Sequence, residues 1–251
     1  MKRLIVFDLD GTLAPSKQPL GPEVGDWLGK LLAVCRVAVI SGGAWPQFQT
    51  QLIAHLPADA ALDRLSLLPT SGTRFMKYDA GWQQLYAEDF SADDKARIIA
   101  ALNQVFDASG FKPDRHWGDT IEDRGSQITL SALGQQAPLD VKEHWDPDFA
   151  KRKTMRTKLT AMLPEFSIGM GGSSSLDVTR PGIDKAYGIA KLHQELGIAV
   201  ADMLFVGDAL FEGGNDYPAR RSGVTCIQVA GPSETVKVIE TVIACTQGAA
   251  Q

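Results

Sequence analysis

The chain has 251 residues, 44% of them apolar, and a formal net charge of −5. That length fits one large domain or a core with a modest second domain, and the apolar share is ordinary for a globular protein. The acidic balance argues against a general nucleic-acid or anionic-membrane surface, and no apolar run is long enough to span a bilayer.

Cys35, Cys226 and Cys245 follow no metal spacing, and the first two sit in apolar runs as small hydrophobes. The N-terminus enters a strand at once without a signal-peptide pattern, so a reducing cytoplasm is the expected setting.

In chain order, Leu4-Ile5-Val6-Phe7 predicts a buried strand that runs into Asp8-Leu9-Asp10-Gly11-Thr12. Strand alternation sends Asp8 and Asp10 off the strand end on the same side. Two close carboxylates repel each other, and hard oxygen donors of this kind suit Mg²⁺ together with a substrate phosphate. A helix is predicted over residues 22–34, with Val24, Trp27, Leu28, Leu31 and Leu32 as its apolar stripe. Residues 37–40 form a second buried strand ending in Ser41-Gly42-Gly43. Trp45, Phe48, Leu52 and Ile53 mark another amphipathic helix, and residues 65–68 a third strand. This βαβαβ order implies a parallel sheet covered by helices.

The pattern then changes. Residues 73–78 and 82–86 flank Asp79-Ala80-Gly81 as a hairpin. Ser91 and Asp94 make a capping box for a helix carrying Ile98, Ile99, Leu102, Val105 and Phe106. Residues 127–133 alternate like a half-exposed antiparallel strand. A basic helix over residues 148–162 turns Phe149, Met155, Leu159 and Met162 inward, with Lys151, Arg152, Lys153, Arg156 and Lys158 as a solvated face. Residues 165–170 and 174–179 are two more short strands. Residues 84–182 thus read as an α+β unit inserted into a core formed by residues 1–83 and 183–251. The βα pattern resumes with a helix over 184–196, stopped at Gly197. A strand over 203–206 runs into Gly207-Asp208, and a strand over 225–229 follows. A tail helix over 233–244 comes last, with residues 247–251 expected to fray.

Ligands of parallel α/β sheets bind beyond the carboxyl ends of the strands. Asp8, Asp10, Ser41, Lys185 at a helix start, and the run from Asp208 to Asp216 all fall there. They make one polar site of carboxylates, a hydroxyl and an amine.

The order Asp8-Leu9-Asp10-Gly11-Thr12, Ser41, Lys185, then Gly207-Asp208 with Gly213-Gly214-Asn215-Asp216 resembles the haloacid dehalogenase superfamily of phosphotransferases. The resemblance implies an α/β fold: a Rossmann-like parallel-sheet core with an inserted α+β cap of the C2B type. It implies Asp8 as nucleophile, Asp10 as general acid and then base, and Ser41 with the Gly42 backbone as phosphate holders. Lys185 would balance the carboxylate charge. Mg²⁺ would be the cofactor, held by Asp8, the Asp10 backbone carbonyl, Asp208 and Asp216.

Within the inserted unit, residues 124–131 and 171–178, followed by Gly182-Ile183-Asp184-Lys185, are similar to the eukaryotic-type phosphomannomutases. That resemblance implies Arg124, Lys142, Ser175, Asp177 and Asn215 as substrate contacts. Two further arginine positions of the family fall on Gln135 and Lys142, and an arginine after the first motif is replaced by Lys17. Arginine grips phosphate bidentately and lysine does not, so the clamp for a second phosphate is thinned.

The expectation is therefore a Mg²⁺-dependent phosphohydrolase. It would act on a sugar phosphate or similar small phosphomonoester through an aspartyl-phosphate. A phosphomannomutase-type hexose phosphate mutase is the alternative, and a non-catalytic sugar-phosphate binder the third reading. The expected partner is a small phosphorylated molecule, with no nucleic acid and no membrane. The chain would be a monomer or, by analogy with the mutases, a dimer through the cap. The four histidines show no ligand spacing, and Trp82, Trp117 and Trp145 read as packing residues.

Overall fold

The computed structural model describes residues 2–248. They form two compact units: residues up to Ala87 together with those from Ile183 on, and Glu88–Gly182.

In the first unit, β1 (Leu4–Phe7) is buried at every position. α1 (Pro22–Val34) opens with proline, whose missing N–H is one the first turn leaves unpaired anyway. Its Val24, Leu28, Leu31 and Leu32 pack with Ile5 and Phe7 and with Val37 and Val39 of β2 (Arg36–Ile40). The single amphipathic helix expected next is broken into three pieces: α2 (Trp45–Gln47), a π-helical turn over Phe48–Leu52 and a 3₁₀ turn over Ile53–His55. β3 (Leu65–Leu68) is followed by a hairpin of β4 (Arg74–Tyr78) and β5 (Trp82–Ala87). The core boundary expected at residue 83 thus falls inside β5, which pairs with β4 as far as Ala87.

The second unit contains α3 (Ala92–Asp107), β6 (Ile121–Asp123), β7 (Gln127–Ser131), α4 (Leu139–Trp145), α5 (Ala150–Met162), β8 (Ser167–Gly171) and β9 (Ser175–Thr179). Ser91 caps α3 by accepting from the Asp94 backbone at 3.1 Å. The four strands form an antiparallel sheet in the order β6-β7-β9-β8. Alternation places Ile128, Leu130, Ile168, Leu176 and Val178 in one apolar core with Ile98, Leu102, Met155 and Leu159. The opposite face carries Gln127, Thr129, Ser131, Ser175, Asp177 and Thr179, which stand opposite one another in register.

Two expectations for this unit are corrected. β7 is buried at all five positions rather than half exposed. Its polar residues are satisfied by one another and by β9: Gln127 donates to Thr129, and Thr129 to Asp177. In the basic helix, Phe149 precedes α5 in a left-handed conformation, and both it and Met162 are exposed. Arg152, expected in solvent, is instead among the most buried side chains.

The first unit resumes with α6 (Lys185–Leu196), capped by Asp184, whose carboxylate accepts from Ala186 and Tyr187 at 2.9 and 3.1 Å. Then come β10 (Met203–Gly207), α7 (Tyr217–Arg221), β11 (Thr225–Gln228) and α8 (Pro232–Gly248). The sheet order is β11-β10-β1-β2-β3-β4-β5. β1, β2, β3, β10 and β11 run parallel, while β4 and β5 are antiparallel additions. The expected frayed tail lies outside the described residues from position 249 on. Cys35 is buried and Cys226 half-buried. No helix among the described residues is long and apolar enough to cross a membrane.

Candidate active site

β1 lies between β10 and β2, so its carboxyl end, with Asp8, is flanked by Asp208 beyond β10 and Ser41 beyond β2. Asp8 is buried and its backbone N–H still bonds Val206 at 3.0 Å, which holds it in line with the sheet. Lys185 enters from the first turn of α6. Its ammonium donates to Asp8 Oδ1 and to the Ile40 carbonyl, and lies 3.5 Å from Asp216 Oδ1. Asp216 is fully buried and accepts from the Ala209 backbone at 3.1 Å. Asp208 accepts from Thr12 Oγ1 at 3.0 Å.

Gly11 makes the approach of Asp208 possible. It has φ +88°, and a Cβ there would stand 2.6 Å from Asp208 Oδ2. Any other residue would be strained and would push the carboxylate away.

Buried charge of one sign dominates the electrostatics. Burial pushes the Asp8 carboxyl up to about 8, the charges of Asp216 and Asp10 add to this, and Lys185 opposes it. Asp208 is raised by burial and by Asp216. Burial works against the Lys185 charge, yet Asp8 and Asp216 outweigh it and hold this amine above the ordinary lysine value. One ammonium thus faces three carboxylates, and the cluster is short of positive charge.

The site fits a divalent cation. Ligand oxygens of Asp8, Asp208 and Asp216 all lie within 4.8 Å of one another. Asp8 Oδ2 is buried with no hydrogen-bond partner, a costly state that a cation would relieve. An all-oxygen donor set is the kind that Mg²⁺ takes. The Asp10 carboxylate is not in this group. It accepts from Lys17 N at 2.6 Å and Gln51 Nε2 at 3.0 Å on Oδ1, and from Gln47 Nε2 at 2.8 Å on Oδ2.

Ser41 is buried and its Oγ accepts from Gly43 N at 3.1 Å, closing the turn that contains Gly42. Asn215 is exposed, next to buried Asp216. Such a set can accept a phosphoryl group on a carboxylate, with amine and cation neutralising the oxygens.

A sequence profile of the family described as eukaryotic phosphomannomutase matches residues 26–245. The chain belongs to this family. The phosphomannomutase of Schizosaccharomyces pombe is 26% identical over 86% of this chain and 84% of its own length. Phosphomannomutase 1 of Homo sapiens is 24% identical over 93% of this chain and 89% of its own. Among solved structures, a haloacid dehalogenase-like hydrolase from Bacteroides thetaiotaomicron has a TM-score of 0.62 at 13% identity, covering 96% of this chain and 100% of its own. The IMP-bound IMP-nucleotidase of Plasmodium falciparum has a TM-score of 0.65 at 18% identity, covering 97% of this chain and 68% of its own. These likenesses show the haloacid dehalogenase fold, with its Rossmann-like core.

The phosphomannomutase resemblance also pointed to residues in the second unit. Arg124, at the β6–β7 turn, is ion-paired with Glu122 at 2.7 Å. Ser175 Oγ lies 2.8 Å from Ser131 Oγ, and Asp177 accepts from Thr129 at 2.7 Å, so both belong to the polar face of the sheet. Lys142 donates to the Gln135 carbonyl at 3.1 Å.

Sequence reasoning missed Thr12, Gln47 and Gln51. Thr12 lies within the first motif, where the carboxylates rather than the hydroxyl stand out. Gln47 and Gln51 carried one available signal: two amides four residues apart, just after the Ser41-Gly42-Gly43 turn.

Proposed function

We propose that this chain is a Mg²⁺-dependent mutase of hexose phosphates, working through a phosphorylated Asp8. The observation that carries the reading is the group of buried Asp8, Lys185 and Asp216 with half-buried Asp208 beyond the strand ends, in a chain whose family match spans residues 26–245. The relatives named phosphomannomutase align along most of their own length. That puts the mutase ahead of the phosphohydrolase that the sequence alone favoured.

In the proposed mechanism, an Asp8 oxygen attacks the phosphorus in line with the leaving oxygen. Asp10 gives its proton to that oxygen as the P–O bond breaks. Ser41 and the Gly42 backbone hold the phosphoryl oxygens, and Lys185 offsets their charge. A second sugar hydroxyl then attacks the phosphorus, Asp10 takes its proton, and Asp8 is released. Magnesium, held by Asp8, Asp208, Asp216 and the Asp10 backbone carbonyl, would neutralise charge on the transferring group. Arg124, Lys142, Ser175, Asp177 and Asn215 are proposed to hold the sugar and its distal phosphate.

The phosphohydrolase remains the second reading, favoured by Gln135 and Lys142. At these two positions one ammonium on a flexible stem replaces two planar guanidinium groups, which weakens retention of a bisphosphate. A silent sugar-phosphate binder would have no use for Asp8, Asp10, Lys185 and Asp208 together.

The test is to incubate the chain and Mg²⁺ with hexose 1-phosphates and 6-phosphates, with and without a hexose bisphosphate. Isomer and free phosphate are followed in the same reaction. Bisphosphate-dependent isomerisation with little phosphate release is expected. Phosphate release without isomerisation would replace the mutase by the hydrolase, and neither product would overturn both.

A further inference from the structure

The side chains that touch Asp10 form a closed arrangement. Gln47 Nε2 donates to Asp10 Oδ2 at 2.8 Å and to Gln51 Oε1 at 2.7 Å. Gln51 Nε2 donates to Asp10 Oδ1 at 3.0 Å. Both amides are thereby fixed in orientation, because turning either one over would aim a carbonyl oxygen at the carboxylate. Gln51 is buried, where an amide is costly unless bonded and an apolar residue would pack as well.

The backbone is shaped to deliver these amides. Gln47 ends α2, and Gln51 lies in the π-helical turn over Phe48–Leu52, a rare form that tends to occur at functional positions. Gly43 leaves the room that Gln47 needs, since a Cβ there would stand 2.3 Å from Gln47 Oε1. Gln51 also ties down the loop after the first motif, because its carbonyl accepts from Leu20 N at 2.8 Å. The turn proposed to hold phosphate and the side chain proposed to move the proton are thus braced by one pair of glutamines.

We infer that Gln47 and Gln51 are positioning residues that aim the Asp10 carboxyl at the leaving oxygen. The inference rests on the reading of Asp10 as the group that protonates that oxygen. When Asp10 is aimed, its proton passes to the oxygen as the P–O bond breaks, so a basic alkoxide never departs unprotonated. When it is misaimed, sugar phosphates suffer most. An aryl phosphate such as p-nitrophenyl phosphate suffers least, because its phenolate leaves without a proton.

The experiment compares the chain with Gln47→Leu, Gln51→Met and Asp10→Asn on a hexose phosphate and on p-nitrophenyl phosphate, with Mg²⁺ present. Each glutamine variant is expected to lose about 10- to 100-fold in kcat on the hexose phosphate. KM should stay within about twofold, and kcat/KM for p-nitrophenyl phosphate, which stops at release of the phenolate and leaves out the later step in which Asp10 takes a proton, should fall far less. Asp10→Asn is expected to show the same split, only larger. A parallel loss on both substrates in both glutamine variants, or no loss on either, would overturn the inference while leaving Asp10 its role. An Asp10→Asn variant without the split would overturn the Asp10 reading and this inference with it.

Discussion

Lys185, the first residue of α6, donates to Asp8 at the end of β1, 177 positions away in the chain. Both side chains are buried, and the same ammonium lies 3.5 Å from Asp216. The lysine is therefore the fixed cation of a cluster that otherwise consists of carboxylates.

Replacing Lys185 with methionine keeps the stem but removes the charge. We expect about a 100- to 1,000-fold loss in phosphoryl transfer, the scale for removing one preorganised electrostatic partner. Lys185→Arg should not restore the rate, because a planar guanidinium does not fit a point contact to Asp8 and the Ile40 carbonyl. Steady-state rates checked against a normal melting curve measure this. Full activity in Lys185→Met would remove the lysine from the mechanism.

Magnesium should stabilise the folded chain, because a ligand that binds only the folded state raises its stability by mass action. We expect the melting temperature to rise with added Mg²⁺, and the rise to vanish in Asp208→Asn and Asp216→Asn. Thermal melts with and without the metal make the comparison. An unchanged Mg²⁺ response in both variants would place the cation elsewhere.

In the second unit, Arg152 Nε bonds Asp146 Oδ2 at 2.7 Å, and its Nη1 donates to the Gly172 carbonyl in the β8–β9 turn at 2.7 Å. Removing one partner of a buried pair leaves an uncompensated charge. Asp146→Ala is expected to cost about 3 to 5 kcal/mol, and pairing Asp146→Leu with Arg152→Met should recover most of it. Urea unfolding followed in that unit reads both numbers. A cost under about 1 kcal/mol, as for a solvent-exposed pair, would contradict the buried geometry.

Much of the core was legible because its signals are local. Asp8, Ser41 and Asp208 each end a short apolar strand, and Lys185 follows the capping Asp184. Strand alternation and the βα order then bring them together beyond the carboxyl ends of the central strands. Gln47 and Gln51 leave only the faint mark of two amides four residues apart, because polar residues in an amphipathic stretch resemble a solvated face, and nothing local announces the π-helical turn. Arg152 was misassigned for the same reason: charge density on a basic helix points outward, while the burial depends on Asp146 and on the distant turn at Gly171 and Gly172. The polar face of β7 misled differently. Alternation suggests exposure, whereas Gln127, Thr129 and Ser131 direct their hydrogen bonds to one another and to β9.

The most direct measurement is rapid quenching of the chain with Mg²⁺ and a hexose bisphosphate, followed by mass analysis of the peptide that contains residues 4–13. The account predicts a phosphorylated peptide whose modification maps to Asp8, disappears in Asp8→Asn, and chases into product when unlabelled hexose phosphate is added. A chain that turns over its substrate while Asp8 is never phosphorylated, or while Asp8→Asn keeps its rate, would contradict it.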